Sequence, residues 1–141
     1  MIININNQTD EEVNIEKIEN VCKKIILEEY QDGDFELNIL LSDNETIKEY
    51  NSNFRGKSTP TDVLSFEYGL KEKIIGDIVI SVERIKEQAK NFNNSFEEEF
   101  FYILIHGVLH ILGYNHKETD EKEEKMFEIQ NKYFNKYYEE G

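Results

Sequence analysis

The stretch from Phe100 to Leu112 is apolar nearly all round, and nothing else in the chain constrains its fold as strongly. A helix with no polar face has to be central and buried, so the remaining elements must cover it on several sides. Ser95 and Glu98 form an S-x-x-E signal that opens this helix. Gly113 is well placed to end it, because glycine accepts the backbone conformation that terminates a helix.

The flanking segments supply those layers. Ile2, Ile3 and Ile5 suggest a short first strand. Ile15, Ile18, Cys22, Ile25 and Ile26 recur at helical spacing, with Asp32-Gly33-Asp34 as a stop. Phe35, Leu37, Ile39 and Leu41 alternate as in a half-buried strand. Ser42 and Glu45 make another S-x-x-E pattern, opening a helix with Ile47, Tyr50 and Phe54 on one face. A polar loop from Arg55 to Thr61 follows. Val63, Leu64 and Phe66 read as a strand, Tyr68 to Lys73 as a connection, and Ile78, Val79 and Ile80 as another strand. Val82, Ile85, Ala89 and Phe92 continue as helix. A last helix carries Met126, Ile129, Tyr133, Phe134 and Tyr137. No Gly/Ser-rich or Pro-rich linker divides the chain, and no internal repeat is visible. The expected class is α+β: one layered domain over residues 1–141, with a small central mixed sheet packed by helices and the site on the buried helix.

Composition narrows the function. A hydrophobic fraction of 38%, with nine Phe and eight Tyr, supplies a core for 141 residues. The net charge of −14, from 16 Lys and Arg against 30 Asp and Glu, argues against broad nonspecific affinity for nucleic acid. Arg55 to Lys57 is free of acid until Asp62, so any cationic patch is small and local. The single cysteine, Cys22, excludes an internal disulfide, lies among apolar residues and fits a reducing compartment. No apolar run reaches the length of a membrane span, and the acidic, Asn-rich start lacks the pattern of a signal peptide. A cytoplasmic protein with no membrane partner is expected.

All three histidines fall within His106-Gly107-Val108-Leu109-His110-Ile111-Leu112-Gly113-Tyr114-Asn115-His116. His106 and His110 project from one face of the helix, one turn apart. That spacing lets two ring nitrogens reach one ion at about 2.0–2.1 Å, and a turn at Gly113 can return the chain so that His116 joins them. Three neutral imidazoles suit one zinc ion, although other divalent transition metals such as copper, nickel or iron also accept them. Three protein ligands with no evident fourth leave a position for water, the mark of a catalytic site. The same spacing occurs in metzincin proteases, but those carry a glutamate directly after the first histidine as general base. Here Gly107 holds that place, which counts against a metalloprotease-like hydrolase. Phosphodiester hydrolysis can be organised otherwise, with the ion activating water while it and a guanidinium stabilise phosphate charge.

The histidine run, Asn53-Phe54-Arg55-Gly56-Lys57-Ser58-Thr59-Pro60-Thr61-Asp62-Val63-Leu64-Ser65-Phe66, and Gly76-Asp77-Ile78-Val79-Ile80-Ser81 occur in one order. Together they resemble the YbeY family of bacterial single-strand-specific metallo-endoribonucleases, over nearly the whole chain. The resemblance implies a zinc-dependent endoribonuclease acting in ribosomal RNA processing, notably at the small-subunit 3′ end, and in ribosome quality control. It makes His106, His110 and His116 the metal ligands and Arg55 the basic residue that engages phosphate. His106 and Arg55 then count as catalytic, and Arg55 and Lys57 as substrate-binding. It further implies ribosomal proteins or assembly factors, including a GTPase, as partners beside single-stranded ribosomal RNA. One departure is visible: Asn115 stands where the family usually has aspartate.

Other residues have two readings each. Arg55 is a phosphate contact or a solvated loop residue. Asp62 and Asp77 orient a histidine or cap turns. Met126 packs beneath the metal or in ordinary helix core. Tyr114 and Phe54 stack on an unpaired base or pack inside. The acidic run from Glu118 to Glu124 is a solvated face. A nonenzymatic ribosome assembly factor with a structural metal is the rival from another class.

Overall fold

The computed structural model describes residues 2–30, 34–55, 62–114 and 120–139; for 51–55 and 120–123 it gives the backbone path alone. In chain order the elements are β1 (Ile2–Asn7), α1 (Ile15–Tyr30), β2 (Glu36–Ser42), α2 (Asn44–Arg55), β3 (Val63–Glu67), β4 (Ile74–Ser81), α3 (Val82–Asn91), α4 (Phe96–Ile111) and α5 (Asp120–Tyr133). A π-helical segment, Phe134–Glu139, follows α5.

The four strands lie in the order β1-β2-β4-β3. β1 runs parallel to β2 and β2 parallel to β4, while β3 pairs antiparallel with β4, placing Val63 opposite Ile80 and Ser65 opposite Ile78. This is the mixed sheet of an α+β fold. Alternation along the strands divides its two faces. On one face Leu37, Ile39, Leu41, Ile78 and Ile80 join the main core with α1 and α4. On the other, Leu64 and Val79 pack with Ile47 of α2 and are flanked by Tyr50 and Phe66. A groove between Asn4, Asn38, Tyr50, Phe66 and Asp77 opens on that second face.

Helix α4 is as buried as its composition requires: Phe100, Phe101, Leu104, Ile105, Val108 and Leu109 are all at most 2% exposed. At about 1.5–3 kcal/mol per fully buried large apolar side chain, this helix contributes more burial energy than its own backbone propensity could. Among the described residues no helix is long and apolar enough to cross a membrane.

Three boundaries differ from expectation. Ser42 does not cap α2. It ends β2, paired with Ser81 and buried, and its hydroxyl donates to the Ile80 carbonyl at 3.4 Å. Because sheet pairing holds Ser42 extended, the cap falls to Asp43, whose carboxylate accepts from the Thr46 amide at 2.8 Å. That bond holds the Asp43 carboxyl below its usual range. Arg55 closes α2 rather than opening a loop, since helix continues through it. Strand β4 also starts earlier than Ile78, because Ile74 and Gly76 pair with β2.

Candidate metal centre

The two ends of α4 are built to hold its histidines still. At the N-terminus Ser95 accepts from the Glu98 amide at 3.1 Å and the Glu98 side chain accepts from the Ser95 amide at 3.0 Å, a complete capping box. At the C-terminus the Tyr114 amide donates to the Leu109 carbonyl and the Gly113 amide to the His110 carbonyl, both at 3.0 Å. This is a Schellman motif. Gly113 makes it with φ +102°, a conformation that L side chains rarely adopt. The helix therefore ends at a turn on Gly113, three residues after His110 and three before His116.

His106 and His110 are both half-buried, and their rings sit 4.7 Å apart, edge to face. Their Nε2 atoms converge to 3.1 Å. Two atoms bound to one ion at about 2.0–2.1 Å can be no more than about 4.2 Å apart, so this pair fits one transition-metal ion. The other nitrogen of His106, Nδ1, faces the side-chain oxygen of Gln130 at 3.1 Å, and the Gln130 amide nitrogen donates to the Tyr102 carbonyl at 3.1 Å. Gln130 is 1% exposed. An outer residue of this kind fixes ring orientation at metal sites. Sequence alone does not mark it, because a glutamine in a charged helix carries no spacing signal.

Gly107 explains how α4 comes so near the sheet. A Cβ there would lie 3.1 Å from Ile78, 3.3 Å from Val63 and 3.4 Å from the Ser65 hydroxyl. Ser65 in turn donates to the Gly107 carbonyl at 3.3 Å, tying β3 to the helix beside His106. The position that holds the general base in metzincins thus faces packed sheet, where any side chain would require its neighbours to give way.

His116, Asn115, Lys57 and residues 56–61 of the expected polar loop lie outside the described residues, as do Glu118 and the side chains of Phe54 and Arg55. Asp77 is not beside the histidines. It lies on the far face of the sheet, where it accepts from Asn38 at 2.9 Å and from the Tyr68 hydroxyl, which pushes the Tyr68 phenol up to about 12. The Asp62 carbonyl accepts from the Ser81 amide at 2.9 Å, beside the start of α3. Met126 belongs to the main core inside α5, not to a turn. Tyr114 packs against the core, and its hydroxyl donates to Glu29, which also accepts from Tyr133. Burial, aided by that bond, raises the Tyr114 phenol to about 12. Cys22 is fully buried and burial pushes its thiol up to about 12, as an inert structural cysteine requires. Glu124 is exposed.

The sequence profile described as Endoribonuclease YbeY matches residues 4–138. The chain is similar to Endoribonuclease YbeY of Petrotoga mobilis, 59% identical over 135 residues, spanning 95% of this chain and 94% of that protein. It is also similar to the Endoribonuclease YbeY of Fusobacterium nucleatum, 47% identical over 114 residues, spanning 74% of this chain and 70% of the relative. Among solved structures, the solution structure of TM1509 from Thermotoga maritima superposes with a TM-score of 0.72 at 33% identity, covering 98% of this chain and 90% of that one.

Proposed function

The chain belongs to the Endoribonuclease YbeY family, and we propose that it is an endoribonuclease that hydrolyses single-stranded RNA with one zinc ion held by His106, His110 and His116. The observation that supports this most is the convergence of His106 Nε2 and His110 Nε2 to 3.1 Å at the end of a buried, doubly capped helix. When bound, the ion would supply Lewis acidity, lowering the pKa of water and polarising a phosphate oxygen.

The chain's own residues do the rest. The imidazole pair and its Gln130 support present a fixed nitrogen face without further rearrangement. Arg55, at the end of α2, offers the planar guanidinium that pairs bidentately with phosphate and stabilises charge developing there. Lys57 adds a second cation for the RNA backbone. With a net charge of −14 for the whole chain, capture of RNA depends on this local patch rather than on the whole surface. Single strands suit such a site better than duplex, since an isolated phosphate can be approached from several sides. Its place is ribosomal RNA maturation at the small-subunit 3′ end and ribosome quality control, in the cytoplasm, with ribosomal proteins or an assembly GTPase as partners. With Gly107 directly after His106, the proton acceptor that a metalloprotease carries at that position is absent.

The test combines elemental analysis of untagged protein with cleavage of a labelled single-stranded oligonucleotide. One zinc per chain, cleavage lost on chelation, and cleavage lost in H106A are expected. An H106A protein that retains full ribonuclease activity after rigorous purification would remove the proposal.

A further inference from the structure

We infer that Gln130 is a positioning residue that sets the tautomer of His106 and thereby aims its Nε2 lone pair at the metal; this rests on the zinc site proposed above. Which groups can donate decides the tautomer. The Tyr102 carbonyl can only accept, so the Gln130 NH2 must face it, as it does at 3.1 Å. The amide oxygen is then the atom left facing His106 Nδ1 at 3.1 Å, and it too can only accept. The proton of a neutral His106 ring therefore belongs on Nδ1. Its Nε2 carries the lone pair, and Nε2 is the atom 3.1 Å from His110 Nε2. A flipped amide would set its oxygen against the Tyr102 carbonyl, with neither able to donate.

The amide has little freedom to do otherwise. Gln130 is 1% exposed, and its neighbour Asn131 accepts from the Tyr102 hydroxyl at 3.0 Å, so two successive residues of α5 grip the same turn of α4. The carbonyl used is that of the residue one turn before His106, which ties the ring's orientation to the helix backbone itself. α5 thus serves the site without contributing a ligand from its described side chains.

Three measurements test this. Long-range 1H–15N spectra of the metal-free wild type at about pH 8, above the ordinary imidazole range, should show His106 protonated at Nδ1. Q130M, which keeps the volume and loses both polar contacts, should shift the ring toward protonation at Nε2. It should also raise the zinc dissociation constant about 10–100-fold in competition with a chromophoric chelator. Q130E keeps an accepting oxygen beside Nδ1 but sets its other oxygen against the Tyr102 carbonyl, so it should hold the proton on Nδ1 while recovering only part of the affinity, which a merely space-filling role would not predict. Unchanged zinc affinity in Q130M, or a wild-type ring protonated at Nε2, overturns the inference. If the wild type binds no zinc, the proposed metal site fails instead. The wild-type spectrum then still decides the role of Gln130, supporting it with the proton on Nδ1 and overturning it with the proton on Nε2.

Discussion

Gly107 and Ile78 meet so closely that a Cβ on residue 107 would stand 3.1 Å from the isoleucine methyl, one residue beyond His106. A side chain at that position would press on Ile78, Val63 and Ser65, so its absence helps helix α4 lie close on β3 and β4. Restoring the metzincin glutamate should therefore fail structurally before it could act chemically. G107V is expected to lose about 1–3 kcal/mol through overpacking. G107E should lose more, about 3–5 kcal/mol, because its carboxylate would be buried without a partner. Urea denaturation gives both values, and a peptidase assay on G107E should stay blank. A G107E protein as stable as wild type would show that α4 does not rest on the sheet in this way.

Gly113 makes the complementary case, because a Cβ there meets nothing within 4 Å while the backbone sits at φ +102°. The cost of a side chain is then conformational alone. G113A should lose about 1–2 kcal/mol, the usual penalty for holding an L-residue left-handed. G113N, which tolerates such backbone better, should lose less. Equal stabilities of G113A and wild type in a denaturant titration would contradict the Schellman ending of α4.

How much of this was readable beforehand depends on the range of the contact involved. Helix α4 was legible because its signals are local: apolar residues all round, Ser95 with Glu98 at one end and Gly113 at the other, each forming the cap it suggests. The same S-x-x-E pattern misled at Ser42, where pairing with Ser81 across the sheet holds the residue in β2 and passes the cap to Asp43. Strand β4 outran the expected Ile78–Ile80 run for a related reason, since pairing with β2 draws in Ile74 and pairing with β2 and β3 draws in Gly76. The His106–His110 pair was legible from spacing on one helix. Its support by Gln130 spans two helices, and the hold of Glu29 on Tyr114 and Tyr133 joins α1 to the far end of the chain. No periodicity encodes contacts of that kind.

Cys22 offers a clean readout of global opening. It is fully buried and its thiol is pushed up to about 12, chiefly by burial and secondarily by Glu19. A thiol that reacts only as thiolate should resist iodoacetamide in the native state and label quickly in denaturant. Mass spectrometry of the labelled protein measures this, and its native labelling rate should fall as stabilising conditions are applied. Rapid native labelling would place Cys22 near the surface.

Glu28 links stability to acid. Hydrogen bonds, first from Lys136 and then from neighbouring tyrosines, lower its carboxyl from 4.5 to about 2. A carboxylate whose folded pKa is depressed adds stability above its unfolded value and loses that contribution as pH falls from about 4.5 to about 2. The contribution is small, under about 1 kcal/mol, because Lys136 and Glu28 are both partly open to solvent. E28Q should therefore unfold slightly more easily than wild type near neutrality, and the gap should close at the acid end of that window. A gap that persists unchanged at low pH would mean the carboxylate's charge contributes nothing there.

The proposed zinc site makes the strongest prediction, because binding to the folded chain alone must appear as stability. If His106 and His110 act as ligands from a preset pair 3.1 Å apart, zinc should bind the native state far better than the unfolded one. Free zinc at a hundredfold excess over its dissociation constant should then raise the unfolding free energy by about 2.7 kcal/mol. H106A and H110A should each abolish most of that increment, and a double variant should lose little more than either, since the two rings act on one ion. C22A should keep the increment in full, because a buried thiol in α1 takes no part. Titrating zinc against thermal unfolding of all five proteins measures it. An H110A chain that gained as much as wild type would show that the converged nitrogens do not share a metal.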